Sequence, residues 1–397
     1  MKQLLKTVED KGITRVKFFI TDINGHSKFM IIPCSYLEEA VTGIGIDGSS
    51  IPGFTTVDNS DLIAKPDLES VVFHENEVAI FCDVEYEDGR PFEGDPRGIL
   101  KKILKKGTFY VKPELEFFFF KDKTPIDSKG YMDTGVGLTI IGEVISDLDI
   151  EVERFHHENG PGQYEIELVL APALKACDNV ILLKDVLKRR AKERQLTCTF
   201  MPKPLRNKAG NGMHFHILLE ENGENLFEGF TETALHFVGG LLAHAKGITA
   251  ISNPTINSYK RLVHNFEAPV HISWGRGNRS TLVRIPQGGK TRIEYRSPDP
   301  SCNPYLALAV ILGAGFEGIK RKIKPPEETI ENVFELENGE LLPATLEEAI
   351  ERLKEDSLIR EILGEHVVKG FIELKEKEIE SYREYVSQWE IDHYLDI

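Results

Sequence analysis

Up to about residue 95 apolar and polar positions alternate in short runs, and 16–20, 29–32 and 78–84 are rich in β-branched and aromatic residues. Asn24-Gly25 between the first two runs signals a hairpin turn, so a small mixed domain of strands and helices is predicted. The stretch 89–97, with Pro91, Gly94 and Pro96, marks a boundary, giving expected domains of 1–95 and 96–397. The segment 112–120 is strand-like by aromatic content and places Glu114 and Glu116 on one face. A helix over 142–148 and a strand over 151–155 lead to His156-His157-Glu158 and a glycine-proline turn. There 163–168 alternates with period two, setting Glu165 and Glu167 on one face and Ile166 and Leu168 on the other. A long amphipathic helix is predicted over 173–193. Next, the glycine loop 209–212 opens a strand carrying His214 and His216, and 253–261 is polar and turn-rich. The stretch 264–269 is expected to form a mobile flap. Two arginine-rich strands follow over 278–286 and 291–296, and the pattern is helical over 304–320 and from 344 onward.

Length and charge narrow the possibilities. A chain of 397 residues exceeds what one core comfortably supports, in keeping with one small and one large domain. The 41% apolar and 28% charged content is that of a soluble enzyme, and a net charge of −16 argues against a nucleic-acid partner, which would need a basic stripe. Cys34, Cys82, Cys177, Cys198 and Cys302 are odd in number, widely spaced and expected to be reduced. The apolar run 235–251 is interrupted by His236, His244 and Lys246, and the N-terminus lacks an h-region. A cytoplasmic protein with no membrane partner is expected.

Several features carry chemistry. Glu114 and Glu116 on so apolar a strand would be costly to desolvate without a cation, unless the strand is an edge with wet acids. A glycine-proline turn between Glu158 and the Glu165/Glu167 face lets two carboxylates converge across one loop, unless these acids decorate a surface hairpin. A His214-x-His216 pair beside a glycine loop suits metal or phosphate as well as a packed core. Arg292, Glu294 and Arg296 share one face, suited to bidentate capture of carboxylate or phosphate, or to a cross-strand salt-bridge ladder. Gly288-Gly289-Lys290-Thr291 is not a P-loop, because Arg284 stands where the first glycine is required. Five carboxylates and one imidazole (Glu114, Glu116, Glu158, Glu165, Glu294 and His214) suit magnesium or manganese. With arginines beside them they suggest a two-metal phosphoryl-transfer enzyme.

The ordered succession Asp47-Gly48-Ser49-Ser50, Glu114-x-Glu116, His156-His157-Glu158, Gln163-x-Glu165, Met201-Pro202-Lys203-Pro204, Gly212-Met213-His214, Asn257-Ser258-Tyr259-Lys260-Arg261, Glu267-Ala268-Pro269, Asn278-Arg279-Ser280 and Glu294-x-Arg296 resembles type I glutamine synthetases, from about residue 16 to the end of the chain. The resemblance implies an α+β fold: a small N-terminal β-grasp domain and a catalytic domain with a curved antiparallel sheet covered by helices. It implies glutamine formation from glutamate and ammonium with ATP as substrate, and stacked hexameric rings with each site shared between neighbours. By matching motif, Glu116, Glu158 and Glu165 would hold one Mg2+ or Mn2+ ion, and Glu114, His214 and Glu294 another. Glu153, His216, Arg279, Arg284 and Arg292 would face ATP, while Gly210, Arg261, Glu267 and Arg296 would bind glutamate. Asp47, Ser50, Tyr131 and Glu158 would form the ammonium pocket, with Asp47, Glu267 and Arg279 catalytic. The chain departs from the family in having Ala209 for an asparagine, Leu218 for a serine, Phe334 for the adenylylated tyrosine, and a short stretch between Tyr131 and His156. The same motifs leave room for a γ-glutamyl ligase using a larger amine, or for a catalytically silent sensing ring.

Overall fold

In the computed structural model the alternating runs of the first domain fold into one mixed sheet. Residues 2–74, 76–264, 268–336 and 338–397 are described; the expected flap residue Glu267 lies outside them. The strands are β1 (Arg15–Thr21), β2 (Ser27–Pro33), β3 (Ile44–Asp47), β4 (Asp61–Pro66), β5 (Val72–His74) and β6 (Glu77–Glu85). Their order is β2-β1-β6-β4-β3, with β5 on β6. Only β1 and β6 run parallel, and the hairpin predicted at Asn24-Gly25 joins β1 to β2 with Gly25 at φ 81°. A Cβ there would also strike the Asn303 backbone at 2.7 Å, so this turn needs glycine twice over. Val16, Phe18 and Ile20 fill a small core of this domain. Phe19 and Phe81 point the other way and join the main core.

The second domain is built on an eleven-stranded, largely antiparallel sheet. Its strands are β7 (Thr108–Lys121), β8 (Thr124–Pro125), β9 (Val152–His157), β10 (Gln163–Leu168), β11 (Ala171–Pro172), β12 (Thr197–Thr199), β13 (Met213–Glu221), β14 (Glu224–Asn225), β15 (Trp274–Arg276), β16 (Val283–Ile285) and β17 (Ile293–Tyr295). The main path is β15-β16-β17-β13-β7-β10-β9. Leu115, Phe117, Ile166, Phe215 and Ile293 put one face into the core, beneath the helix Ala173–Glu193. The alternate residues form the opposite face, whose middle is charged: Lys112, Glu114, Glu116, Glu165, Glu167 and Glu294, with His214 and His216.

The helix expected over 142–148 begins earlier, at Gly137, and ends at Asp147. Gly137 starts it because its backbone N–H donates to Tyr164 Oη at 3.0 Å, and any side chain there would collide with the Tyr164 ring at 2.4 Å. The arginine-rich strands are shorter than expected: β16 and β17 have three residues each, and Gly288 and Gly289 turn the chain between them at φ 81° and 68°. Helix Pro304–Arg321 runs through the core, capped by the Asn303 side chain. The C-terminal region divides into Leu346–Glu355, Ser357–Leu363, Glu365–Glu384 and Gln388–Tyr394. Asp356 caps the second of these and Gly364, at φ 79°, separates it from the third. The apolar run 235–251 becomes two helices, Glu232–Ala243 and Ala245–Ser252, bent by 71° and packed in the core. No single helix among the described residues is long and apolar enough to cross a membrane.

Candidate active site on the charged face of the sheet

Register alone assembles the site. Glu116 lies opposite Glu165 and Glu114 opposite Glu167 across β7 and β10; His214 lies opposite Glu114 across β13 and β7. Glu294 lies opposite both His216 and Arg284. Directly paired residues share a face, so strands far apart in sequence deliver Lys112, Glu114, Glu116, Arg154, His156, Glu165, Glu167, His214, His216, Arg284 and Glu294 to one surface. This rules out edge acids for Glu114 and Glu116, because β7 is an interior strand, paired on both sides by β13 and β10.

Two groups of side chains converge closely enough to hold a cation, their donor atoms lying within 4.8 Å of one another: Glu114, His214 and Glu294, and His156, Glu165 and Glu167. In the first group, His214 Nδ1 is 3.3 Å from Glu114 Oε2 and 3.6 Å from Glu294 Oε1. Burial, with Arg296 nearby, lowers the pKa of His214 and so favours the neutral imidazole that ligates metals. Burial opposes the charge on Glu114, but His216 and His214 outweigh it and hold its carboxyl well below the usual range. Glu294 is likewise buried, yet Arg296 at 2.6 Å and then His216 help bring it down to about 2, and Arg284 also pairs with it at 2.7 Å. Two acids held below the usual range and an imidazole inclined to its neutral form make a donor set suited to a divalent ion.

Glu165 behaves differently. Burial and the surrounding charges of Glu114, Glu116, Glu158 and Glu167 raise its pKa well above the usual range. Among the described residues its ion-pair contact is the ring of His156, with Nε2 3.8 Å from Oε1. A carboxylate held among four others is what a bound cation would relieve. The donor chemistry therefore fits the expected metals. Glu116 accepts from Gly212 N at 2.9 Å and Gln163 Nε2 at 3.1 Å, and Glu158 accepts from Asn159 N at 3.0 Å. Both bear on the charge of Glu165, and Glu167 adds a neighbour that the expected trio does not include.

Glu167 and Lys112 are the main residues the motifs did not single out. Lys112 Nζ is 2.6 Å from Glu167 and 2.9 Å from Glu153, and Arg154 also binds Glu167. Burial opposes charge on Glu167, but His156, Arg154 and Lys112 carry it down to about 2. Glu167 also raises the pKa of His156, although at 3.9 Å the contact is ionic rather than hydrogen-bonded. A bulge opposite Glu167 and Leu168 inserts Glu153 into β9 and swings it toward Lys112. The shared face of Glu165 and Glu167 was the available signal. Their cationic partner lies 55 residues away in the chain and had none.

The nucleotide-side candidates form a row. His216 Nε2 is 2.7 Å from Glu114, Arg292 Nε reaches His216 Nδ1 at 3.2 Å, and Arg284 holds Glu294. Arg279 stands exposed in the turn before β16. Among the residues expected to bind glutamate, buried Arg261 donates to the carbonyls of Ser297 at 2.6 Å and Arg296 at 3.3 Å. Gly210 and Gly212 leave room for it: a Cβ on Gly212 would come within 2.8 Å of Arg261 Nη2, and one on Gly210 within 2.5 Å of the Pro202 carbonyl. Gln163 ties this loop to the metal face by donating to Gly210 O at 3.0 Å and to Glu116.

The loop carrying Glu158 is fixed from behind. Asp127 accepts from Tyr164 Oη at 2.5 Å, contacts His157 Nε2 at 2.8 Å and accepts from Gly162 N at 3.0 Å. Burial opposes the charge on Asp127, but the bonds from Tyr164 and His157 keep its pKa below the usual value. Tyr131 is 54% exposed and packs edge-on to His156 with centroids 5.4 Å apart. Asp47 and Ser50 lie on the small domain, at the open edge strand β3. The side-chain hydrogen bonds of Asp47 go to Ser49 and Ser50 at 2.6 Å, and none reaches the charged face. Those bonds from Ser49 and then Ser50 lower its pKa.

Comparison with known proteins agrees with this geometry. A family model described as "Glutamine synthetase, beta-Grasp domain" matches residues 12–86, and one described as "Glutamine synthetase, catalytic domain" matches 93–394. A glutamine synthetase of Pyrococcus abyssi is 45% identical over 97% of this chain and 98% of its own, and one of Thermus thermophilus 42% over 99% and 98%. Among solved structures, a GmaS/ADP complex superimposes with a TM-score of 0.94 at 32% identity over all of both chains. A Plasmodium falciparum glutamine synthetase does so with 0.88 at 25% identity, covering 99% of this chain and 98% of that one. The chain belongs to the glutamine synthetase family, with both of the family's domains present.

Proposed function

We propose that the chain is an ATP-dependent glutamate–ammonia ligase that forms glutamine through γ-glutamyl phosphate. The observation that carries this is the convergence of Glu114, His214 and Glu294 beside the over-crowded Glu165, on a face rimmed by Arg261, Arg284, Arg292 and Arg296. Glu114, His214 and Glu294 would hold one divalent ion, and Glu116, Glu158 and Glu165, with Glu167 beside them, another. Bound there, Mg2+ or Mn2+ would neutralise the phosphate oxygens and draw charge from the reacting phosphoryl group.

Arg261 and Arg296 orient glutamate so that its γ-carboxylate oxygen attacks the γ-phosphorus of ATP, and ADP leaves. Arg284, Arg292 and exposed Arg279 stabilise charge on the transferred phosphoryl, with Glu153 and His216 on the nucleotide side. Ammonium is held by carboxylates including Glu158, and Asp47 takes its proton. The ammonia then attacks the γ-carbonyl carbon, the C–O bond breaks, and phosphate departs with both electrons and takes up the proton that the nitrogen sheds. Serine bonds and exposure keep Asp47 ionised, as a base must be. In our reading Asp47 and Ser50 serve the site of an adjoining subunit within stacked hexameric rings, because they lie on the unpaired edge β3. Glu267 would shield the acyl phosphate from water. The cytoplasm suits five unpaired cysteines.

Phosphate release measured with glutamate, ATP and a panel of amines tests the assignment. Ammonium is expected to give the highest kcat/KM. A higher value with an alkylamine would replace this reading with a γ-glutamyl-amine ligase.

A further inference from the structure

A cavity of about 650 Å³ opens on the side of the glutamate loop away from the metal face, between the β1–β2 hairpin, the helix Ala173–Glu193 and the helix Glu365–Glu384. Its charge is unbalanced. Lys184 and Lys188 stand one helical turn apart, and their ammonium groups lie 5.3 and 5.5 Å from the centre of the Phe200 ring. Like charges at this spacing repel, and neither has a carboxylate partner among the described residues. The nearby acids are already engaged: Asp185 by Lys17 at 2.6 Å, Glu378 by Lys375 at 3.2 Å and by the backbone N–H of Ile256 at 3.2 Å, and Asp299, which acts on Lys184 through space without an ion pair to it, by Asn253 Nδ2 at 3.0 Å and Ser301 N at 2.9 Å. Lys184 donates to the Pro300 carbonyl at 2.6 Å, and burial brings its pKa down to about 8. A cation held this way lacks a counterion, and the cavity beside it has room for one.

We propose that this cavity binds a small oxyanion, a dicarboxylate or a phosphoryl compound, through Lys184 and Lys188, and that its occupation weakens glutamate binding. The wall between the cavity and the substrate loop is one layer thick. Pro202 O accepts from Asn211 N at 2.8 Å and Met201 O from Asn211 Nδ2 at 2.9 Å, which sets the 210–212 loop. Pro298 O accepts from Met213 N at 2.8 Å, and Ser297 O seats Arg261. An anion that draws the Lys184 ammonium off Pro300 O releases the 296–300 segment on which Arg261 and Arg296 rest. The effect falls on glutamate affinity, not on the phosphoryl-transfer groups. This coupling rests on the proposed glutamate site; the binding itself does not.

The test uses the intact oligomer with its active sites filled by glutamate, ADP and magnesium, at constant ionic strength set with chloride. Calorimetric titration with inorganic phosphate and, separately, with succinate should show one further anion per subunit, and the better of the two identifies the class. Lys184→Met and Lys188→Gln should each weaken that binding at least tenfold, about 1.4 kcal/mol. Lys188→Gln should leave kcat and the glutamate KM unchanged without anion, whereas Lys184→Met, having lost the bond to Pro300, should show the raised glutamate KM even without anion. In the wild type the anion should raise the glutamate KM severalfold at constant kcat, and in both variants it should not. Absence of the additional site, or binding indifferent to the exposed and structurally harmless Lys188→Gln change, overturns the proposal. Binding without a KM shift overturns its regulatory half.

Discussion

Replacing Glu165 by glutamine separates two roles that usually travel together. Two carboxylates about 5 Å apart in an effective dielectric near 20 repel by about 3 kcal/mol. Glu165 is buried among Glu114, Glu116, Glu158 and Glu167, whereas Lys112 and Arg154 are committed to Glu167 and the guanidiniums of Arg284 and Arg296 to Glu294. With that partial compensation, removing the Glu165 charge should stabilise metal-free protein by about 1–2 kcal/mol. Magnesium at a hundredfold excess over its Kd should stabilise the wild type by about 2.7 kcal/mol and the variant by under about 1 kcal/mol. The variant therefore melts higher in chelator, and adding magnesium moves the difference by about 1.7 kcal/mol or more toward the wild type, cancelling or inverting that advantage. Phosphate release should be lost in the variant at all metal concentrations. Thermal unfolding in chelator and in magnesium, beside the activity assay, decides the matter. A Glu165→Gln protein less stable than wild type in chelator, or one that keeps wild-type turnover, refutes the crowded-carboxylate account.

Asp127→Asn should raise the metal concentration needed for half-maximal activity by about tenfold to a hundredfold, because it loosens the loop behind Glu158; a metal titration of activity, with circular dichroism confirming the fold, checks this. Subunits carrying Asp47→Ala and subunits carrying Glu165→Ala should each be inactive, yet mixed rings should regain about a quarter of wild-type activity if each site draws on two chains; no recovery after subunit exchange would place Asp47 elsewhere. Burial, with Arg189 beside it, pushes His74 from 6.5 down to about 4. Its neutral form is favoured by folding, so that stability is complete above pH 6.5 and is lost as the pH falls toward 4, by up to about 3 kcal/mol. In denaturant titrations His74→Gln should flatten this part of the pH dependence, and an unchanged slope would count against it.

Period two made the acids on β7 and β10 legible, and the β13 histidines with them, because strand alternation fixes a face without knowledge of partners. What period two does not supply is which strand lies next to which. Lys112 meets Glu167 only because β7 and β10 are adjacent, and Asp127 meets His157 and Tyr164 through a loop whose path no local pattern dictates. The early start of the helix Gly137–Asp147 has the same origin, since Tyr164 is what receives it. The arginine-rich strands are shorter than their composition suggests because Asn278 folds 278–281 into a turn, its Oδ1 accepting from Ser280 N and Oγ, and because the Gly288-Gly289 turn delays the second strand. The expected flap at Glu267 falls outside the described residues, so its part in closing the site stays within the proposal.

The two faces of the central sheet hold different kinds of information. The apolar residues Leu115, Phe117, Tyr164, Ile166, Met213 and Phe215 lock the strands in place, for a slip of one residue would drive acids into the core and aromatic rings into water. Topology is thereby specified almost entirely by side chains that never touch a substrate. The charged face is correspondingly free to vary: exchanges there can alter which amine, ion or acid is accepted while the same scaffold still assembles. A lineage built on this sheet can explore new reactions by point substitution on one surface, while selection on the other keeps the architecture constant.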